Sequence, residues 1–296
     1  MKNKSFTLIE LLVVIVIIGI LAGVITMTTN TYIEQANLAK AQAFSSNASN
    51  RLWKNLISEW TFDLPAVEGV TEDTGGSNDG TVVGATHIPR SSDQCVYGGC
   101  YSFDGENDYI IANQLKNQNS NECSVSVWIN TSKDESFPGE NILIGFNNVF
   151  PGVASSGFSI RLRDDKPSIA FRYADNSNYL DLYSGSKIID GNWHLITGTY
   201  KNGDYLKKYV DGVLTQSVAA TQGYLISTDE LIIGGIPGNT KYLEGILDDV
   251  RIYNTALSLS EIKQEYVAGL DSLYSKGLIS KEEYNKKIES LAFEGS

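Results

Sequence analysis

Residues 245–253 read GILDDVRIY, and no other nine residues say as much about the architecture of this chain. Apolar and polar side chains alternate along them: Ile246, Val250 and Ile252 share a face with Asp248, while Asp249, Arg251 and Tyr253 share the other. A period of two marks a β-strand that packs one face. On either side the same texture returns in SVSVWI (124–129), FSIRL (158–162), SIAFRY (168–173), HLITGTY (194–200), KKYVDGV (207–213) and ELIIGG (230–235), broken by Gly, Asn, Asp and Ser. In YVDGV, Asp211 and Gly212 can both take positive φ, as a two-residue hairpin requires. Many strands without intervening helices predict an antiparallel two-sheet sandwich over residues 59–257.

The amino-terminal region has a different texture. No charge occurs between Glu10 and Glu34, and those 23 residues are rich in Leu, Ile and Val. As a helix they would span roughly 34 Å at ~1.5 Å per residue, against a hydrocarbon core of about 30 Å. A membrane span at about 9–31 is expected, and Lys2 and Lys4 ahead of it hold that end in the cytoplasm, with the bulk of the chain outside. A secretory signal peptide is the competing reading; it needs a small-residue cleavage site after the apolar core, whereas this run continues into helix-forming sequence. Ala41, Phe44, Ala48, Leu52 and Leu56 extend one stripe at spacings of three and four, so a single helix over 6–58 is expected.

The segment SFTLIELLVVIVIIGILAG (5–23) resembles the amino terminus of type IV prepilins and of the pseudopilins of type II secretion. That resemblance implies a leader at 1–5, cleavage between Ser5 and Phe6 by a prepilin peptidase, and N-methylation of Phe6. Ser5 departs from the usual Gly before the cut. Glu10 becomes the fifth residue of the mature chain, and the family's assembly mode implies pairing with the terminal amine of the neighbouring subunit's Phe6. A carboxylate in hydrocarbon is costly unless paired, which gives that partnership a physical reason.

WTFD (60–63), YSFDGENDYI (101–110), SVSVWI, GNWHLITGTY (191–200), YVDGV (209–213) and GILDDVRIYNTALS (245–258) occur in the order found in laminin G-like, concanavalin-like jelly rolls. The resemblance implies a sandwich of the kind used to bind glycans or proteins at cell surfaces, without fixing the ligand. Related jelly rolls that cleave glycosidic bonds carry an ExDxE strand; none is present here, and adjacent acids on a strand point to opposite faces, so no enzyme is expected.

Composition bounds the partners. The formal charge is −12, and losing Lys2 and Lys4 with the leader takes it to −14, which argues against nucleic acid. Of three cysteines, Cys95 and Cys100 enclose the tight turn VYGG and form the expected disulfide, while Cys123 shares a strand face with Val125, Val127 and Ile129 and reads as core. Asp248, on its apolar face, needs a partner if buried; a hydrogen bond is one possibility and Ca²⁺ the other, with Asp63 and Asp104 as companions. For a glycan, Tyr173, Asn176, Asn178, Tyr179 and Tyr183 in RYADNSNYLDLY (172–183) are the expected exposed platform. Trp128 and Trp193 read as core.

The tail, 258–296, has helical spacing at Ile262, Tyr266, Leu270 and Leu273, a turn at Gly277, then Ile279, Tyr284, Ile288 and Leu291. Ser280 and Glu283 form a capping-box pattern. LDSLYSKGLISKEEYNKKIESL (270–291) resembles the short bacterial SHOCT hairpin, which suits self-association or docking on the chain's own sandwich. The expected class is thus α+β, mainly β: a long transmembrane or filament helix, an antiparallel jelly roll and a helical hairpin. Two functions remain in view: a pilus subunit, minor or at the tip, displaying a lectin-like adhesive domain, and a secretion pseudopilin whose head binds cargo. A membrane-anchored surface protein that never polymerises is a third.

Overall fold

The alternating segments fold as strands. In the computed structural model these are β1 (Leu56–Trp60), β2 (Val70–Thr71), β3 (Gly80–Val83), β4 (Thr86–Ile88), β5 (Cys100–Asp104), β6 (Tyr109–Ala112), β7 (Glu122–Asn130) and β8 (Glu140–Phe146). Next come β9 (Gly157–Arg163), β10 (Lys166–Arg172), β11 (Tyr179–Tyr183), β12 (Trp193–Lys201), β13 (Asp204–Val210), β14 (Val213–Ala220), β15 (Leu231–Ile233) and β16 (Glu244–Tyr253). Two helices close the chain, α1 (Leu259–Ser275) and α2 (Lys281–Ala292). The structure describes residues 52, 54–112, 115, 121–132, 140–146, 157–172, 179–221, 230–238 and 241–292. Ser5, Phe6, Glu10 and the expected span at 9–31 lie outside them. Among the described residues no helix is long and apolar enough to cross a membrane. The chain divides into two units, 1–51 and 52–296, and every strand and helix named above belongs to the second.

Among the described residues the strands form two eight-stranded antiparallel sheets. One runs β14-β13-β12-β7-β16-β5-β4, with β1 also on β16; the other runs β11-β10-β9-β8-β15-β6-β3-β2. Their facing sides bury one core, in which Cys123, Val125, Val127 and Ile129 of β7 meet Ile160, Phe171 and Leu231 of the second sheet. The period-two reading of β7 therefore holds. Between β13 and β14, Asp211 and Gly212 turn the chain with φ of 55° and 75°.

A third layer covers the outer face of the first sheet. Leu259–Ser275 and Lys281–Ala292 lay Tyr266, Leu270, Leu273 and Leu291 against Trp128, Trp193 and Leu195, so the stripe read in the tail docks on the chain's own sandwich. The ring of Trp128 stacks on Tyr266 at 5.7 Å. Gly269 makes that approach possible, because a Cβ there would lie 2.1 Å from the indole. Ser258 caps α1 with a full capping box to Glu261, and the Ser280 hydroxyl accepts from the Glu283 N–H at 3.1 Å at the start of α2.

Two expectations are corrected. The helix expected to reach residue 58 ends earlier, since Leu56–Trp60 is a strand paired with residues 250–253 of β16. There the sheet's hydrogen bonds and the burial of Ile57 and Trp60 outweigh a local 3.6-residue pattern. The second concerns the phase of β16. Its register on β7 shifts between Asp248 and Arg251, and Asp249 takes a left-handed φ of 52°. This bulge adds a residue, so Leu247 faces the inter-sheet core before it and Val250 and Ile252 face that core after it. Asp248, expected on the face of Val250 and Ile252, lies instead on the opposite side with Ile246, toward the helical layer.

Candidate functional site

At the bulge, β16 exchanges one neighbour for another: β5 pairs with residues 244–247 and β1 with 250–253. The Cys95–Cys100 loop, closed by the expected disulfide with a Cα separation of 5.6 Å, fills the gap. Asp248 is fully buried, and its Oδ2 accepts from the Tyr97 N–H at 2.9 Å. Burial raises its pKa from 3.8 to about 7, with the Asp63 carboxylate adding to the rise and Lys276 and Arg251 opposing it. From the helical layer, Lys276 Nζ donates to the carbonyls of Cys95, at 3.0 Å, and Tyr97, while Ser272 Oγ donates to that of Val96. Trp193 Nε1 donates to the Gln94 carbonyl at 3.0 Å. The loop is thus a clasp between sheet and hairpin.

Of the expected calcium trio, Asp63 and Asp248 both meet the Cys95–Cys100 loop, while Asp104 does not. Asp63 Oδ1 accepts from the Gly99 N–H at 3.1 Å, and its Oδ2 faces Arg90 at 3.4 Å. Asp104 turns its carboxylate onto its own turn, accepting from the Glu106 N–H at 2.8 Å, and is exposed. Among the described residues no group of three or more His, Cys, Asp or Glu could hold a metal ion. Asp248 accepts from the Tyr97 backbone N–H, and the Lys276 ammonium lies nearby.

Beside it sits a charge network that alternation alone did not reveal. Arg251 Nε donates to Glu59 Oε1 at 2.7 Å, its Nη1 to Glu265 Oε1 at 3.1 Å, and its Nη2 lies 2.6 Å from Asp249 Oδ2. Ser126 Oγ donates to Glu265 Oε1 at 2.6 Å. Burial raises Asp249 well above the ordinary carboxylate range, against the pull of Arg251. One guanidinium thereby joins β1, β16 and α1. The available signal was Glu265, an acid three residues after Ile262 on the apolar stripe.

Of the expected glycan platform, Tyr173, Asn176 and Asn178 lie outside the described residues, and of Tyr179 only the backbone, in β11, is described. Tyr183 is described. Its hydroxyl donates to Asp164 Oδ2, and its ring carries the Arg163 guanidinium 4.4 Å from its centre. On the same outer face Arg161, 2% exposed, reaches Asp181 at 2.6 Å and Glu140 at 3.3 Å. Trp128 and Trp193 are buried, not between the sheets but beneath the helical layer.

A groove of about 610 Å³ opens at the end of β1, lined by residues of 61–79 and by Arg90. Its floor includes Phe62, held at a φ of 55° that is unfavourable for an aromatic residue, with its carbonyl accepting from His87 Nε2 at 2.9 Å. Glu68 and Gly69, with φ of 53° and 81°, turn a tight finger that presents Val67 and Val70 at the rim.

Comparison with known proteins agrees with this architecture. Residues 104–263 match the family model described as the concanavalin A-like lectin/glucanases superfamily, and residues 1–26 match the prokaryotic N-terminal methylation motif. No curated protein matches. Among solved structures, the botulinum neurotoxin serotype D binding domain is similar at 21% identity and a TM-score of 0.59, over 75% of this chain and 53% of that one. The binding domain of Paraclostridial Mosquitocidal Protein 1 is similar at 19% identity and 0.59, over 74% and 53%. The serotype D ligand binding domain in complex with N-acetylneuraminic acid is similar at 20% and 0.57, over 75% and 53%. The chain spans about half the length of these structures, and at such identities they speak to fold alone. The chain belongs to the concanavalin A-like lectin/glucanase superfamily, carried behind a prokaryotic N-terminal methylation motif.

Proposed function

We propose that this protein is a pilin-like subunit that assembles through its amino-terminal segment and displays a lectin-like jelly roll for adhesion to an extracellular glycan or surface protein. The observation that carries the reading is the union, in one chain, of a methylation motif at 1–26 with a jelly-roll head. A prepilin peptidase would cut between Ser5 and Phe6 and methylate Phe6, and Glu10 would pair with the next subunit's amine in the inner membrane before the subunit enters an extracellular filament. The Cys95–Cys100 disulfide supports an oxidising destination. A sandwich of roughly 200 residues is bulky for every position of a thin filament, which supports a minor or tip subunit. The neighbour crystallised with N-acetylneuraminic acid supports a carbohydrate as one ligand class for this fold. Glu10→Ala tests the assembly step. The wild type is expected in sheared filaments and the variant in the cell membrane; equal incorporation of both would refute the reading.

A further inference from the structure

The groove at the end of β1 has a position and a lining that single it out. The polypeptide enters this unit at Leu52, and Leu52 and Leu56 pack with Tyr253, Leu257 and Ile262, at the start of α1. The far end of α2 returns to the same pole, where Lys263 Nζ donates to the Leu291 carbonyl at 2.6 Å. β1 then leads away from that pole, roughly 17 Å in five residues, and delivers the chain into the groove.

The lining combines aliphatic and acidic groups. Leu64, Val67 and Val70 are 70%, 74% and 41% exposed, three of the most exposed large apolar residues described, and all three border this one opening. Asp63, Glu72 and Asp79 face it, and among the described residues a single cation, Arg90, lines it, 3.4 Å from Asp63. Glu72 and Asp79 are exposed. The lining ring, Phe62, is 2% exposed and offers no platform on which a sugar could stack. Aliphatic rim and excess negative charge together suit a ligand that is aliphatic and positively charged.

We infer that this groove docks a basic, aliphatic peptide segment of a surface protein, in which Lys or Arg alternates with Val or Leu. The inference rests on the reading of the head as a displayed binding module and names the partner class. An octapeptide of alternating lysine and valine, titrated calorimetrically into the full chain in detergent micelles, tests it. Binding is expected, weakening at least tenfold in Glu72→Lys and in Val67→Ser, weakening with added salt, and unchanged in Tyr183→Ala. Both groove positions are exposed, so the variants should melt with the wild type. Equal binding of the counterpart with glutamate in place of lysine would overturn the inference, as would unchanged affinity in Glu72→Lys, or loss in that variant of binding to a sialylated oligosaccharide. The titration needs no filament, so failure of the groove and failure of assembly would be told apart.

Discussion

Asp248 carries two lessons at the scale of single residues. Its burial was legible, because an acid inside an apolar alternation has few places to go. Its side of the sheet was not, since the bulge at Asp249 exists only where β5 gives way to β1 and the disulfide loop enters. Its folded pKa, near 7 against 3.8 for the unexceptional group, means that the folded state holds the proton more tightly than the unfolded chain. Stability from this group is complete below pH 3.8 and is lost as pH rises through about 7. His194 acts in the same direction: burial opposes its charge, yet Asp211 and Asp190, at 2.8 and 3.1 Å, hold its pKa above 6.5. Melting temperature is therefore expected to fall between pH 5 and pH 8. Asp248→Asn, an amide that still accepts from Tyr97, should lessen the fall, by roughly 1–4 kcal/mol in stability at pH 8; an unaltered slope would contradict the assignment. Lys208 is the opposite kind of buried charge. It is wholly enclosed, yet its Nζ donates to the carbonyls of Pro167, Leu182 and Ser184 at 2.9, 3.0 and 2.5 Å. Lys208→Met leaves those oxygens without their donor and should cost about 3 kcal/mol in chemical denaturation. Its inward position follows from the β13 alternation only once the second sheet is in place.

Among the elements, the helical layer is the part that local pattern described best. The stripe from Ile262 to Leu291 depends on i, i+4 spacing that needs no knowledge of the sandwich, and the hairpin docks with that face. What the pattern omitted was the receiving surface, where Trp128 requires Gly269 opposite it. Gly269→Ala should lose more to the clash with Trp128 than the helix gains from alanine, a net destabilisation of roughly 1–3 kcal/mol. Exposure of the indole would then show as a red shift in fluorescence; native emission and melting would contradict the packing. The boundary at Leu56 was illegible for a related reason. Ser58, Glu59 and Trp60 become a strand because β16 supplies an edge and Arg251 a partner for Glu59. Both the edge and the arginine come from about 190 residues farther along the chain, beyond the reach of a helical stripe.

For the molecule as a whole, the two-sheet class was legible because many strands share one alternation. The groove was not, since its rim comes from a loop without periodicity and from Arg90, close only after folding. A methylation motif at 1–26 and a jelly-roll head with an open groove are the proposed parts of one displayed module. That arrangement has its proposed purpose only if the amino-terminal segment is processed and assembled. The most direct measurement is the mass of the amino-terminal peptide of this chain recovered from sheared surface filaments. A peptide beginning at N-methylated Phe6 is expected, whereas an intact Met1–Ser5 leader, or absence of the chain from the filament fraction, would contradict the account.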